Sequence, residues 1–382
     1  FAGISVKRLL SFVLIAVFFF TPTANAAPKK ISPKPMQLVT TVGTPDEVSG
    51  VVTSGKTLIV YGSKASKAYA RGVDTTGKEL WSLSLDQAPA SIATTAAVDP
   101  VGDIWIAGAT PLALGLIEPS PTATPVNPDN AVVPPTTLVG NLQAVTIWKI
   151  TAAGVITFTK TLPTSSVLFP TSISVDRNGA SVVGIIGSEK GSAGFLVNTD
   201  KDGVFGKLLQ IGSLATTADS VVRHSDGSFT VVGSSSETLG GKKVAGITDG
   251  VLVKISKALK VTNVVRSSAV KGKRIWNSAS STLLVGGEVV AGGKTETAIT
   301  KFSSSFAPSW TYRFPSTGPA ITVGSTYAVF ISTGTTSQLN WNPKVPAPLL
   351  LTFDAKGAIK AADNGPIGQK EVLGALLSKE LG

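Results

Sequence analysis

A single histidine, His224, and no cysteine stand among the 382 residues. Any mechanism that needs an imidazole must therefore use His224. Thiolate nucleophiles, thiolate metal sites, disulfides and multi-histidine metal sites are all excluded. His224 stands three residues before Gly227, as Asp99 does before Gly102 and Asp176 before Gly179. That spacing makes it an exposed turn residue rather than part of a Ser-His-Asp hydrolase. The run Asn198-Thr199-Asp200-Lys201-Asp202-Gly203 places oxygen ligands at alternate positions like the start of a calcium loop, but Leu209 stands where the twelfth-position acid is needed. A hairpin turn is expected there, with no metal and no bound cofactor. Among acids, Asp86, Glu118, Asp129, Glu237, Asp249 and Glu288 could work as carboxylates, yet the sequence ties no two of them together, and no catalytic residue is assigned. Between 254 and 274 lie Lys254, Lys257, Lys260, Arg266, Lys271, Lys273 and Arg274 with no acid, and Lys242 and Lys243 stand nearby. They are read either as a basic patch for a polyanion or as lysines guarding a sheet edge.

The elements that must position these side chains are short strands. The stretch 171–213 reads as four of them, SISVD, SVVGIIG, FLVNTD and KLLQIG, rich in β-branched residues and parted by Asp/Asn-Gly turns. Six copies follow one another, with about 30 extra residues in the second. Gly55, Gly102, Gly179, Gly227 and Gly324 mark the turn between first and second strands; Gly77, Gly154, Gly203 and Gly357 mark the turn between third and fourth. A repeat of roughly 40–50 residues with four strands is the signature of a propeller blade. The expected fold is all-β: a propeller of six four-stranded blades, with seven the alternative, closed by an N-terminal strand at 36–42 on the edge of the last blade. The fifth copy has Ser280-Ser281 and 306–308 in place of its turn glycines and is expected to be the least regular. Val372, Leu373, Leu376 and Leu377 at helical spacing predict a short C-terminal helix or tail over 368–382.

In the first repeat, 68–85, Asp74, Thr76, Gly77, Lys78 and Trp81 resemble the repeat of quinoprotein-like propellers. Gly194–Gly203 and 146–154 look like the bacterial β-propeller repeat of exported proteins. The resemblance implies the propeller fold. Its quinoprotein branches use calcium with acidic residues, adjacent cysteines, or a histidine base, and a chain without cysteine whose one histidine lies in a turn looks like a non-catalytic relative.

Lys7 and Arg8 before an apolar run from Leu9 to Phe20, then Ala24-Asn25-Ala26, predict a secretory signal over 1–26, and the apolar run is too short to span a bilayer. A Pro/Lys linker is expected at 27–35 and the propeller at 36–367. The chain is basic, with 34 Lys and Arg against 23 Asp and Glu, which in an exported protein favours anionic envelope polymers over nucleic acid. Loops after the second strands and between blades lie on one face of such a disc, and these are the long ones: 110–142, 234–248 and 334–348. Long loops on a rigid scaffold are where binding usually sits. Trp341 and Asn342 on the third, with Lys242 and Lys243 on the second, are the candidate ligand contacts. The sequence thus leans away from an enzyme. It suggests a secreted or envelope-associated, monomeric module that binds an envelope polymer, peptide or protein, without a stable membrane span. The alternative is a propeller hydrolase or quinoprotein-type oxidoreductase with carboxylates at the channel mouth.

Overall fold

A computed structural model describes residues 30–378 except 39, 45, 87–89 and 113–141. The signal and most of the insert at 110–142 therefore lie outside the described residues. Those described form six antiparallel four-stranded blades and no helix. The innermost strands are Val48–Ser54, Ile92–Val98, Leu168–Asp176, Thr216–Arg223, Lys273–Ala279 and Ile321–Val323. In each blade the middle strands are apolar on both faces, as in Phe229–Ser235, where every residue is buried. Such a strand is stable only between two packed neighbours, so no blade stands alone.

Packing follows from this. Five apolar clusters fill the seams between consecutive blades, for example Trp105, Val145 and Ile147 of blade two against Ile173, Val182 and Phe195 of blade three. The seam between blades six and one is lined differently. Leu373 and Leu376 of the C-terminal tail line a cavity with Val48 and Val51 of blade one, and Leu376 and Leu377 line another with Val323, Tyr327 and Val329 of blade six. The tail forms no helical turn over 368–378. The expected helix is absent among the described residues, and its leucines line the seam while staying largely exposed.

Ring closure uses the N-terminal chain on the edge of the last blade, as expected, but through residues before the expected 36–42, whose described residues form no strand. Lys34–Pro35 pairs in parallel with Ile359–Asn364, register Lys34 to Asp363. Blade six already owns four strands, so the segment can only add outside as a fifth. The preceding residues are docked rather than a loose linker: the Asn340 amide donates to Ile31 O at 2.8 Å.

The fifth blade is as regular as the others, contrary to expectation. Leu283 and Phe306 adopt φ of 60° and 65° at places where most other blades use glycine, as Leu259 of blade four does with φ of 57°. Both side chains are buried in the seam with blade four. That burial, worth about 1.5–3 kcal/mol per large side chain, offsets the roughly 1 kcal/mol cost of a left-handed backbone.

Candidate functional site

The inner strands of blades one to five share a local departure from the ladder. The register slips between Val48 and Gly50, Ala93 and Thr95, Pro170 and Ser172, Ala218 and Ser220, and Trp276 and Ser278. Each slip is a β-bulge, and the extra residues are Ser49, Thr94, Thr171, Asp219 and Asn277. A bulge re-aims a side chain and sharpens the twist. Repeated on five inner strands, it sets a polar band along the wall of the central channel. Opposite the bulges stand Gly62, Gly108, Gly184, Gly233 and Gly287, where an added Cβ would meet the carbonyl oxygens of Glu47, Ile92, Phe169, Thr217 and Ile275 at 1.9, 1.8, 2.2, 2.1 and 1.9 Å. The sequence carries this signal: glycine inside each of these second strands, in LIVYGS, IWIAGA, SVVGII, FTVVGS and LLVGGE. Strand-interior glycine marks a bulge or a close backbone approach, and the turn glycines drew attention away from it.

Asp219 is the one carboxylate of the band. Burial pushes its pKa up to about 6, and the Thr217 hydroxyl, which donates to Oδ2 at 2.5 Å, offsets only part of that. Thr217 also bonds the Ser234 hydroxyl at 3.1 Å. In the neighbouring blade Glu288 stands opposite Ile275, the place that Ser234 holds opposite Thr217. Burial raises Glu288 as well. Two carboxyls whose pKa values burial raises thus lie on adjacent blades, Asp219 at the bulge of the inner strand of blade four and Glu288 on the second strand of blade five. Thr171 Oγ donates to Ala218 O at 2.6 Å, and the Ala279 amide donates to Ser220 Oγ at 3.2 Å, so both flanks of the Asp219 bulge are stitched to blades three and five.

Of the other acids considered from sequence, Glu237 and Asp249 are structural. Glu237 accepts from the amides of Ser213, Leu214 and Ala215 at 2.9, 3.0 and 3.1 Å and from Thr216 Oγ at 2.6 Å. Burial works to raise its pKa, but these donors outweigh it and hold the carboxyl at about 2. Asp249, fully buried, accepts from the amides of Ala245 and Gly246 and pairs with Arg266 at 3.3 Å. Both acids pin the 234–248 loop. Glu118 and Asp129 lie outside the described residues.

The tentative binding residues are dispersed. Trp341 packs against the blade six cluster and its Nε1 donates to Ser332 Oγ at 2.9 Å, so it is a loop anchor; Asn342 beside it is exposed. Lys242 and Lys243 are exposed on the 234–248 loop. The basic run is split between faces. Lys254, Lys257 and Lys260 belong to the tight-turn end of blade four, whereas Lys271 and Lys273 lie at its exit on the long-loop face. Arg274 stacks on Trp276 at 4.5 Å, and burial, with Arg313 nearby, lowers its pKa to about 10. Asp200 caps its hairpin by accepting the amides of Asp202 and Val204, both at 2.9 Å. Trp81 docks on the next blade, its Nε1 donating to Ala152 O at 3.0 Å.

His224 occupies the turn place expected for it, its amide donating to Ser228 O as that of Asp99 does to Asp103 O. It is less open than a turn residue should be. Nε2 shares a 2.7 Å bond with Thr230 Oγ, and the ring lines a cleft on the tight-turn face.

No family model matches the chain, and no curated protein matches it. Solved structures of similar fold include the lignostilbene dioxygenase of Pseudomonas brassicacearum, at 7% identity and TM-score 0.39 over 81% of this chain and 67% of that one. A post-proline cleaving enzyme of Rickettsia typhi is 10% identical, TM-score 0.42, over 81% of this chain and 44% of that one. An α-L-arabinofuranosidase of Clostridium thermocellum is 9% identical, TM-score 0.35, over 84% and 94%. These neighbours are enzymes, against the expectation that leaned away from one. At such identities the likeness is one of fold alone.

Proposed function

We propose that the chain is a propeller hydrolase working at the long-loop mouth of its channel, with Asp219 as the proton-carrying carboxyl and Glu288 as the second acid. The observation that carries this reading is the position of Asp219: on a bulge of the inner strand, with one hydroxyl partner and a pKa pushed to about 6. A carboxyl that is half protonated near pH 6 is poised to give a proton to a leaving oxygen. Five residues along a strand, roughly 16 Å, part Asp219 from His224, so the imidazole cannot serve this place. With no cysteine and no histidine in reach, carboxyl-only chemistry remains, and that is the chemistry of acetal and glycosidic bonds: one acid protonates the leaving group while a second carboxylate activates water or attacks. An envelope polysaccharide is the proposed substrate, met outside the cytoplasm after loss of the basic and apolar leader, and drawn in by the exposed Lys242, Lys243, Lys271 and Lys273.

The test is hydrolysis of chromogenic glycosides and of envelope polysaccharide fractions by the full chain and by Asp219→Asn between pH 4 and 8. Activity falling through an apparent pKa near 6, and lowered by about 10²-fold or more in Asp219→Asn, supports the reading. No hydrolysis of any glycoside, or equal rates in the two proteins, overturns it.

A further inference from the structure

The tight-turn face holds a cleft of about 620 Å³ where the first turns of blades two, three and four meet. That volume suits a mono- or disaccharide. Its walls carry Arg177, Asn198, Arg223, His224, Ser225 and Lys257. Charge is arranged unequally among them. Arg223 is committed: Nε and Nη2 donate to Asp176 at 2.9 and 3.1 Å, and Nη1 donates to Ser181 Oγ at 2.7 Å. Asp226 accepts from the Ser228 amide and hydroxyl at 2.8 and 2.6 Å. Asp176 is thus paired, whereas Asp226, exposed and accepting only on Oδ1, stays ionised, so Arg177, Arg223 and Lys257 stand against two carboxylates. Arg177 and Lys257 are exposed and form no ion pair among the described residues. The cleft keeps uncompensated positive charge.

Its remaining groups ask for hydroxyls. Asn198 accepts Ser181 Oγ on Oδ1 at 2.6 Å, which leaves its amide NH2 to donate. The Ser225 hydroxyl faces the same space. His224 is held neutral by burial, with Lys254 acting in the same sense and Asp226 against it. The Phe229 face is already covered by the Arg223 guanidinium at 5.7 Å, so the cleft offers no open ring for stacking an aromatic ligand.

We infer that this cleft is a second binding site, distinct from the channel mouth, for a small carboxylated sugar whose carboxylate lies between Arg177 and Lys257 and whose hydroxyls meet Asn198 and Ser225. A carboxylate paired with Arg and Lys gains charge-assisted bonds, while the polar walls supply the neutral ones.

The lone histidine makes the test direct, because its imidazole gives one set of ring resonances. The full chain is titrated with glucuronate, with glucose and with inorganic phosphate at low salt, following the His224 ring signals by NMR. A saturable shift with glucuronate, at least tenfold weaker with glucose and with phosphate, is expected. Arg177→Ala/Lys257→Ala, both exposed positions, should weaken glucuronate at least tenfold while leaving the spectrum folded, and Asp219→Asn should bind as the parent does. No shift with glucuronate, or an unchanged affinity in the double variant, overturns the site. Phosphate binding as tightly as glucuronate overturns the sugar and leaves a plain anion cleft. None of these outcomes depends on hydrolysis at the channel mouth.

Discussion

Arg223 grips Asp176 across the seam of blades three and four with two bonds, Nε to Oδ2 at 2.9 Å and Nη2 to Oδ1 at 3.1 Å. The guanidinium is mostly buried and the carboxylate partly open, with side-chain exposures of 13% and 36%. A bidentate pair of this kind fixes one blade against the next as well as attracting. It also decides the polarity of the tight-turn cleft, since it removes Asp176 from any ligand.

The pair should show coupling in a double-mutant cycle. Arg223→Ala leaves Asp176 and the Ser181 hydroxyl without their partner, and a loss of about 1–3 kcal/mol is expected after allowing for the partly solvated carboxylate. Asp176→Ala should cost a similar amount, and the double variant less than the sum by about 1 kcal/mol. Urea denaturation of the four proteins measures this; strict additivity would mean that the pair does not hold the seam.

Asp219 makes stability depend on pH in a particular direction. Its folded pKa, about 6, lies above the ordinary 3.8. The protonated form is thus the one the fold prefers. Its contribution is fully present below pH 3.8 and is lost as pH rises through about 6, so that at pH 7 the ionised group costs up to about 3 kcal/mol. Asp219→Asn, which keeps the shape without the charge, should therefore stabilise the protein at pH 7 by about 1–3 kcal/mol and leave it nearly unchanged at pH 4. Chemical denaturation at both pH values decides it, and a destabilised variant at pH 7 would remove the strained carboxyl on which the hydrolase reading rests.

Gly233→Ala is expected to be among the most damaging single methyl additions. Its Cβ would lie 2.1 Å from Thr217 O and 3.2 Å from Ala218 Cα, both backbone atoms of the Asp219 bulge. The strand must shift or the bulge must flatten, at a cost of about 3 kcal/mol or more. Gly374→Ala, where nothing lies within 4 Å, serves as the control and should be near neutral. Melting curves of the two, with loss of any channel activity in the first only, check the claim.

Removing the tail from 372 onward should open the last seam. Leu373, Leu376 and Leu377 are 51%, 39% and 53% exposed, so each contributes part of a full burial, and together about 2–3 kcal/mol. A lower melting temperature with increased binding of a hydrophobic dye is the expected result. An unchanged melting temperature would mean that blades six and one hold each other without the tail.

The propeller was legible from the chain because its cause is local. Each repeat writes out strand, turn and strand in β-branched residues, with turn glycines in five of the six, and a sheet apolar on both faces has few ways to bury itself other than against its own copies. The turn role of His224 was legible for the same reason, through its alignment with Asp99 and Asp176. The irregular fifth blade was misread because glycine is only the commonest route to positive φ: Leu283 and Phe306 reach it with side chains buried in the seam, a compensation that exists only once blade four is in place. The tail was misread because helical spacing in leucines marks a helix only where one apolar face is buried, and these leucines stay largely exposed along the seam.

The site belongs to the tertiary structure almost entirely. Asp219 is an ordinary aspartate in the sequence, and it becomes a carboxyl that titrates near 6 only when a bulge turns it to the channel wall and neighbouring blades strip its water. Arg177 and Lys257, 80 residues apart, share a cleft because the turns of adjacent blades converge there. The basic run, continuous in sequence, is divided between opposite faces because a strand crosses the disc within it. Composition and repeat fixed what kind of ring forms; desolvation, register and the meeting of blades fixed where its charged groups stand.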